Sequence, residues 1–178
     1  MLKFLFRVFL SLVIVLILAI LFRAPLFRAV VHYEVLRERR STIVANAEPK
    51  VSATREINEV IDAALDSTAH LLRFTTGRTS NEPSVLRHGG GANCIGYAAL
   101  FASLVRNELD EMREGGKFRV EHLIAQLHIG NHNLHEAFNS PFWKDHDIVR
   151  ITDLRDGSTI YVDPTLYDAT GIGRVTGP

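Results

Sequence analysis

The run Gly89-Gly90-Gly91-Ala92-Asn93-Cys94-Ile95-Gly96-Tyr97-Ala98-Ala99-Leu100 constrains the fold more than any other stretch of this chain. Three glycines followed by Asn93 read as a loop that turns into a helix. Ile95, Ala98, Ala99, Ala102, Val105, Leu109 and Met112 then keep helical spacing, and Gly115-Gly116 are expected to stop the helix. Alanines fill its first turns, and such small residues allow close packing, so this is expected to be a buried central helix. The chain's only cysteine, Cys94, falls in its first turn. Backbone N–H groups at a helix start stabilise a thiolate, which gives a cysteine there a chemical use. The competing reading is a buried, inert thiol, a common fate of free cysteines.

The N-terminus imposes a second constraint. Val8 to Phe22 is an uncharged apolar run between Arg7 and Arg23, extended by Leu2, Phe4, Leu5, Phe6, Leu26 and Phe27. A membrane span takes about twenty apolar residues, and Lys3, Arg7 and Arg23 can snorkel to the interface. Residues 1–28 are therefore expected to be a single-pass membrane anchor. A cleaved signal peptide is the alternative, but no small-x-small site follows the run. Arginines after the run favour a cytoplasmic C-terminal side, whereas the short basic N-tail favours export; the balance is read as extracytoplasmic.

Formal net charge is zero, but residues 1–50 carry eight Lys/Arg against three Glu, and residues 51–178 carry twelve against seventeen acids. A mildly acidic soluble part argues against nucleic acid as a partner. Residues 29–52 read as a solvated helix or juxtamembrane linker, and residues 53–178 as one domain. Within that domain, Ile57, Val60, Ile61, Ala64, Leu65, Leu71 and Leu72 follow an amphipathic helical spacing. Phe118 to Ile129 reads as a strand or strand pair. His146 to Thr152 and Thr159 to Val162 read as a hairpin around Asp156-Gly157.

A cysteine nucleophile needs a base, and the base needs an orienting group. His146 opens one hairpin strand and Asp163 closes the other. A two-residue Asp156-Gly157 loop would separate them by about 13 Å; a four-residue loop, Asp153 to Asp156, would set them directly opposite on one face. His128 and His135 are the other candidate bases. His122, His128, His132 and His135 match no standard metal-ligand spacing, so neither a metal nor a cofactor is expected. Gly89 to Gly91 are not followed by Lys-Ser/Thr, which argues against a nucleotide loop. They are read instead as clearance for a substrate chain or as a flexible turn.

Three segments together resemble the transglutaminase-like (papain-like) superfamily: Asn93 to Leu100, His146 to Ile151, and Ile160-Tyr161-Val162-Asp163-Pro164-Thr165. The resemblance spans residues 85–168. Asp147 and Ile148 stand where that family usually has a small residue and tryptophan, and Ile160 replaces an aromatic. It implies an α+β papain/transglutaminase-like core, with the Cys94 helix packed on an antiparallel sheet. It also implies Cys94 as nucleophile, His146 as general base and acid, and Asp163 as the orienting group. The reaction expected is acyl transfer at an amide of a peptide or protein, with hydrolysis favoured over transamidation. A catalytically silent, membrane-tethered binding module is the alternative. Oxyanion donors would be the Cys94 N–H with Asn93, His88 or Trp143; Asn93 also reads as a helix N-cap.

Overall fold

The computed structural model describes residues 2–39, 56–138 and 145–178. The rest of the 29–52 linker reading, and Trp143, lie outside them. Helix α1 (Leu2–Leu21) is the apolar run. It contains a segment, Phe4–Leu21, long and apolar enough to cross a membrane, as an anchor or a signal sequence would be. Helix α2 (Arg23–Val30) follows after one residue and leads directly into strand β1 (Val31–Glu38). Here the structure corrects the sequence reading, because residues 31–38 are neither helix nor linker. Val31 and Tyr33 are buried, so the alternation of a half-buried strand wins over the local density of charge.

The remaining elements follow in order. Helix α3 (Ile57–Leu71) runs straight into strand β2 (Leu72–Phe74), and helix α4 is a single turn (Pro83–Leu86). Strand β3 (Gly90–Ala92) precedes helix α5 (Cys94–Glu111). Strand β4 (Phe118–Ile129) is one continuous strand, followed by β5 (His132–Asn133) and helix α6 (Leu134–Ala137). Strands β6 (His146–Asp153) and β7 (Thr159–Val162) form the expected hairpin. Helix α7 (Pro164–Thr170) and strand β8 (Arg174–Val175) complete the chain.

Among the described residues six strands form one antiparallel sheet in the order β1-β4-β6-β7-β8, with β5 paired to β4. The Tyr33 N–H donates to the carbonyl of Thr176, just past β8, at 2.9 Å, so the two outer strands meet and the sheet curls towards closure. One face packs against α3 and α5 through Val60, Ile61, Leu65, Phe101, Val105, Val149 and Ile151. The other encloses Val31, Tyr33, Leu123, Ala125, Ile148 and Val175, with Phe27 of α2 against them. This is the α+β arrangement expected from the sequence, with the Cys94 helix buried on the sheet.

Two glycine readings change. Gly115-Gly116 do not end α5. The helix stops earlier, with Arg113 in the left-handed region (φ +60°) and Glu114 N–H bonded to the Leu109 carbonyl at 2.8 Å, the pattern of a Schellman turn. The Gly89–Gly91 stretch is not a flexible turn either. Gly90–Ala92 pair in parallel with Leu72–Phe74, while Gly89 and Gly90 adopt φ of +85° and +128°. Only glycine takes both conformations without strain, so these residues deliver the chain to the start of α5.

Candidate functional site

Cys94 occupies the first position of α5 and is half-buried. Asn93 is its N-cap: the side-chain oxygen accepts from Gly96 N–H at 3.3 Å. The backbone N–H groups of the first turn are left without intrahelical partners, as at any helix start. Gly96 lets this turn sit close on β3, since a Cβ there would meet the Ala92 Cβ at 2.9 Å. Helix start and thiol are thus held by packing from below.

His146 opens β6 and lies opposite Ala125 of β4. The hairpin loop is Leu154 to Gly157, with Asp153 N–H bonded to Ser158 carbonyl at 2.9 Å. Val149 therefore pairs with Val162. Continuing that register puts Asp163 level with Ile148, two residues beyond His146 on the same face. Neither loop considered from sequence occurs, and the pair is diagonal rather than directly opposite. Diagonal neighbours remain within reach of long side chains, and His146 Nε2 lies 2.7 Å from Asp163 Oδ2.

Asp163 is also the N-cap of α7, and its Oδ1 accepts from Thr165 N–H (3.0 Å) and Leu166 N–H (2.9 Å). Its Oδ2 accepts a second bond, from Tyr33 O–H, at 2.7 Å. The carboxylate is 1% exposed and the His146 side chain 17%. Burial would raise the Asp163 carboxyl, but the His146 charge and hydrogen bond, Leu166 N–H and Tyr33 together hold it below its usual range. Burial would likewise lower His146. The Asp163 charge and hydrogen bond, with a hydrogen bond and negative charge from Cys94, outweigh it and raise the imidazole to about 10. With Nε2 on Asp163, Nδ1 is the ring nitrogen left for the sulfur. Burial, with the Asp163 charge and hydrogen bond, keeps Tyr33 protonated and donating.

A second buried cluster, absent from the sequence reading, touches the same sulfur. Asp147 Oδ2 lies 3.8 Å from Cys94 Sγ. Asp147 Oδ1 is 2.8 Å from His122 Nε2 and 2.6 Å from Arg39 Nε. Asp147 and His122 are each 1% exposed. Burial would raise the Asp147 carboxyl, but hydrogen bonds and charge from His122 and Arg39 bring it below its usual value. The sulfur therefore has His146 on one side and, on another, an ionised carboxylate paired with Arg39 and His122. His122 and Asp147 alternate with core residues on the helix-facing side of the sheet, so a polar residue in an apolar alternation was the available signal.

Compared with protein-family models, curated proteins and solved structures, the chain matches none.

The other candidates are placed elsewhere. His128 stacks on His32 with ring centroids 4.9 Å apart, and its Nε2 lies 2.9 Å from Glu34 Oε2. His135 follows the N-cap Asn133 of α6, and His88 is exposed beyond α4. Among the described residues no group of three or more His, Cys, Asp or Glu could hold a metal ion.

Proposed function

We propose that the protein is a membrane-anchored, transglutaminase-like cysteine enzyme that transfers acyl groups from amides through Cys94, His146 and Asp163. The observation that carries this reading is the 2.7 Å bond from His146 to Asp163 on a ring whose charge is also favoured by the Cys94 sulfur. A nucleophile, a base and an orienter within mutual reach form the constellation that thiol acyl transfer requires. The apolar α1, uncleaved, serves as the anchor, with the domain on the extracytoplasmic side.

The chemistry follows from the positions. Cys94 sulfur, as thiolate, attacks the amide carbonyl carbon, and a carbon–sulfur bond forms as the carbonyl π electrons move to oxygen. The backbone N–H of Cys94, at the helix start, receives that charge, with the Asn93 side-chain amide as the second donor. His146 imidazolium gives its proton to the leaving nitrogen, the C–N bond breaks, and a thioester remains. Water then attacks the thioester while His146 takes its proton, and the thiolate leaves with the product acid released. An amine in place of water gives transamidation, and the substrate is a peptide or protein amide.

The competing reading is a silent fold that acts as a tethered binding module. The Asp147 carboxylate beside the sulfur favours it, because a like charge opposes a thiolate. Inactivation of the full-length protein by a peptidyl acyloxymethyl ketone separates the two. His146→Ala is expected to slow Cys94 modification by about 10²-fold or more, the typical worth of a positioned base. Modification at an unchanged rate in His146→Ala excludes the catalytic reading and leaves the binding module.

A further inference from the structure

The anchor and the candidate site are joined without slack. Arg23 follows α1 almost directly and bridges two helix ends: its Nη1 donates to the Ile20 carbonyl (3.3 Å), and its Nε to the Thr170 carbonyl (3.0 Å). Thr170 ends α7, and α7 begins at its cap Asp163. The other end of α2 is fixed as well, since Thr176 Oγ1 donates to the Arg28 carbonyl at 3.0 Å and Phe27 packs into the sheet interior. One face of α2 is thereby used up.

Its other face carries Phe22, Leu26 and Val30, spaced four apart and each more than half exposed. That spacing forms a single stripe, and Ile129, the strand partner of Val31, is also exposed. Arg23 flanks the stripe, and Arg28 borders the apolar face at its other edge, beyond Pro25 and Ala29. An apolar stripe edged by arginines, continuous with a membrane-length helix, has the chemistry of a segment lying in the lipid interface.

We infer that α2 lies in the membrane surface, and that the Cys94–His146–Asp163 site therefore acts on the juxtamembrane segment of a membrane-anchored peptide or protein. The inference rests on the anchor and acyl-transfer readings given above and adds the substrate class. Three paths give the height. Helix α7, seven residues, spans about 10 Å from Arg23's partner to Asp163. Val31 to Tyr33, whose hydroxyl holds Asp163, is about 7 Å. Ile129 to Ala125, the partner of His146, is about 13 Å along β4. A point within about 15 Å of a helix in the interface is no higher than that above it. The far end of β4 is about 36 Å from Ile129, and Leu154 bonds there, to Lys117.

Because Cys94 is the only cysteine, alkylation reads a single position. The full-length chain is placed in vesicles of phosphatidylcholine and phosphatidylglycerol doped with phosphatidylethanolamine that carries iodoacetamide on a spacer of about 15 Å. Each rate is divided by that of soluble iodoacetamide. The ratio at Cys94 is expected to exceed that of a Cys94→Ser, Leu154→Cys chain by about tenfold or more; equal or reversed ratios overturn the inference. Phe22→Glu with Leu26→Glu is expected to lower the Cys94 ratio several-fold, and an unchanged ratio overturns the role of α2. Release of the chain by alkaline carbonate overturns the anchor and this inference together. The ratio cancels intrinsic thiol reactivity, so a failed acyl-transfer reading shows only in the His146→Ala comparison above.

Discussion

Tyr33 donates a 2.7 Å hydrogen bond to the same Asp163 oxygen that holds His146. The bond reaches across 130 residues and ties the first strand to the acid that orients the imidazole. Tyr33→Phe keeps the ring in its buried site and removes only this donor. Asp163 retains His146 and two backbone N–H groups, so the expected loss of stability is about 1–2 kcal/mol, read by urea denaturation. On the acyl-transfer reading, modification of Cys94 by the peptidyl ketone is expected to slow several-fold, because the ring is less firmly held.

The pH dependence of stability follows from the same cluster. His146 is raised from 6.5 to about 10. Its interaction therefore stabilises the fold fully below about pH 6.5 and is lost as pH rises through about 10. Asp163 and Asp147 are held below 3.8, so their contributions are present above the ordinary carboxylate range and are lost as pH falls through the depressed values. Thermal melts are expected to be highest in weakly acid solution, above the carboxylate range and below about pH 6.5, and to decline from there as pH rises to about 10. His146→Ala is expected to remove most of the alkaline decline; a decline of the same size in that variant would place its cause elsewhere.

Legibility in the sequence followed burial geometry. Helices α3 and α5 and strands β4, β6 and β7 each bury one face or both against a neighbour, so their periodicities survive in the residue pattern. Strand β1 was hidden because its alternation breaks at a bulge between Val35 and Arg37 and runs into charged residues. With it went Tyr33 and Arg39, whose partners are more than a hundred positions away and leave no local trace. The hairpin register depends on the turn, where Gly157 N–H bonds the Asp153 carbonyl and Gly157 takes φ +75°. Residue types alone left that choice open, so the His146–Asp163 pairing could be named but not placed.

Asp147 offers a test of how the sulfur is tuned. Asp147→Asn keeps the shape and an acceptor for His122 and Arg39 while removing the charge 3.8 Å from Cys94 Sγ. A carboxylate beside a sulfur opposes the anionic form that reacts. Alkylation of Cys94 by iodoacetamide at pH 6 is therefore expected to quicken several-fold. Asp147→Ala removes the acceptor as well and strands a buried histidine and a half-buried arginine, at a cost of about 3–5 kcal/mol. If the Asn variant reacts no faster, the carboxylate serves only to pair Arg39 and His122.

Gly96 tests whether the thiol's place depends on the packing beneath it. An alanine there would add a Cβ 2.9 Å from the Ala92 Cβ and 3.4 Å from Leu86 Cδ1. Ala92 is fully buried on β3, whose pairing with β2 gives it little room to retreat. Alanine is the better helix former by about 1 kcal/mol, so propensity alone makes the substitution stabilising. Overpacking costs about 1–3 kcal/mol and is expected to win, because the first turn of α5 has to lift off β3. Lifting that turn displaces Cys94 relative to His146, and a shift of about 1 Å at a reacting centre costs up to 10²-fold in rate. Gly96→Ala is therefore expected to lose stability by calorimetry and to slow Cys94 acylation more than the stability loss explains. A variant that is more stable with unchanged acylation would mean that β3 yields instead and that the thiol is positioned from the sheet side alone.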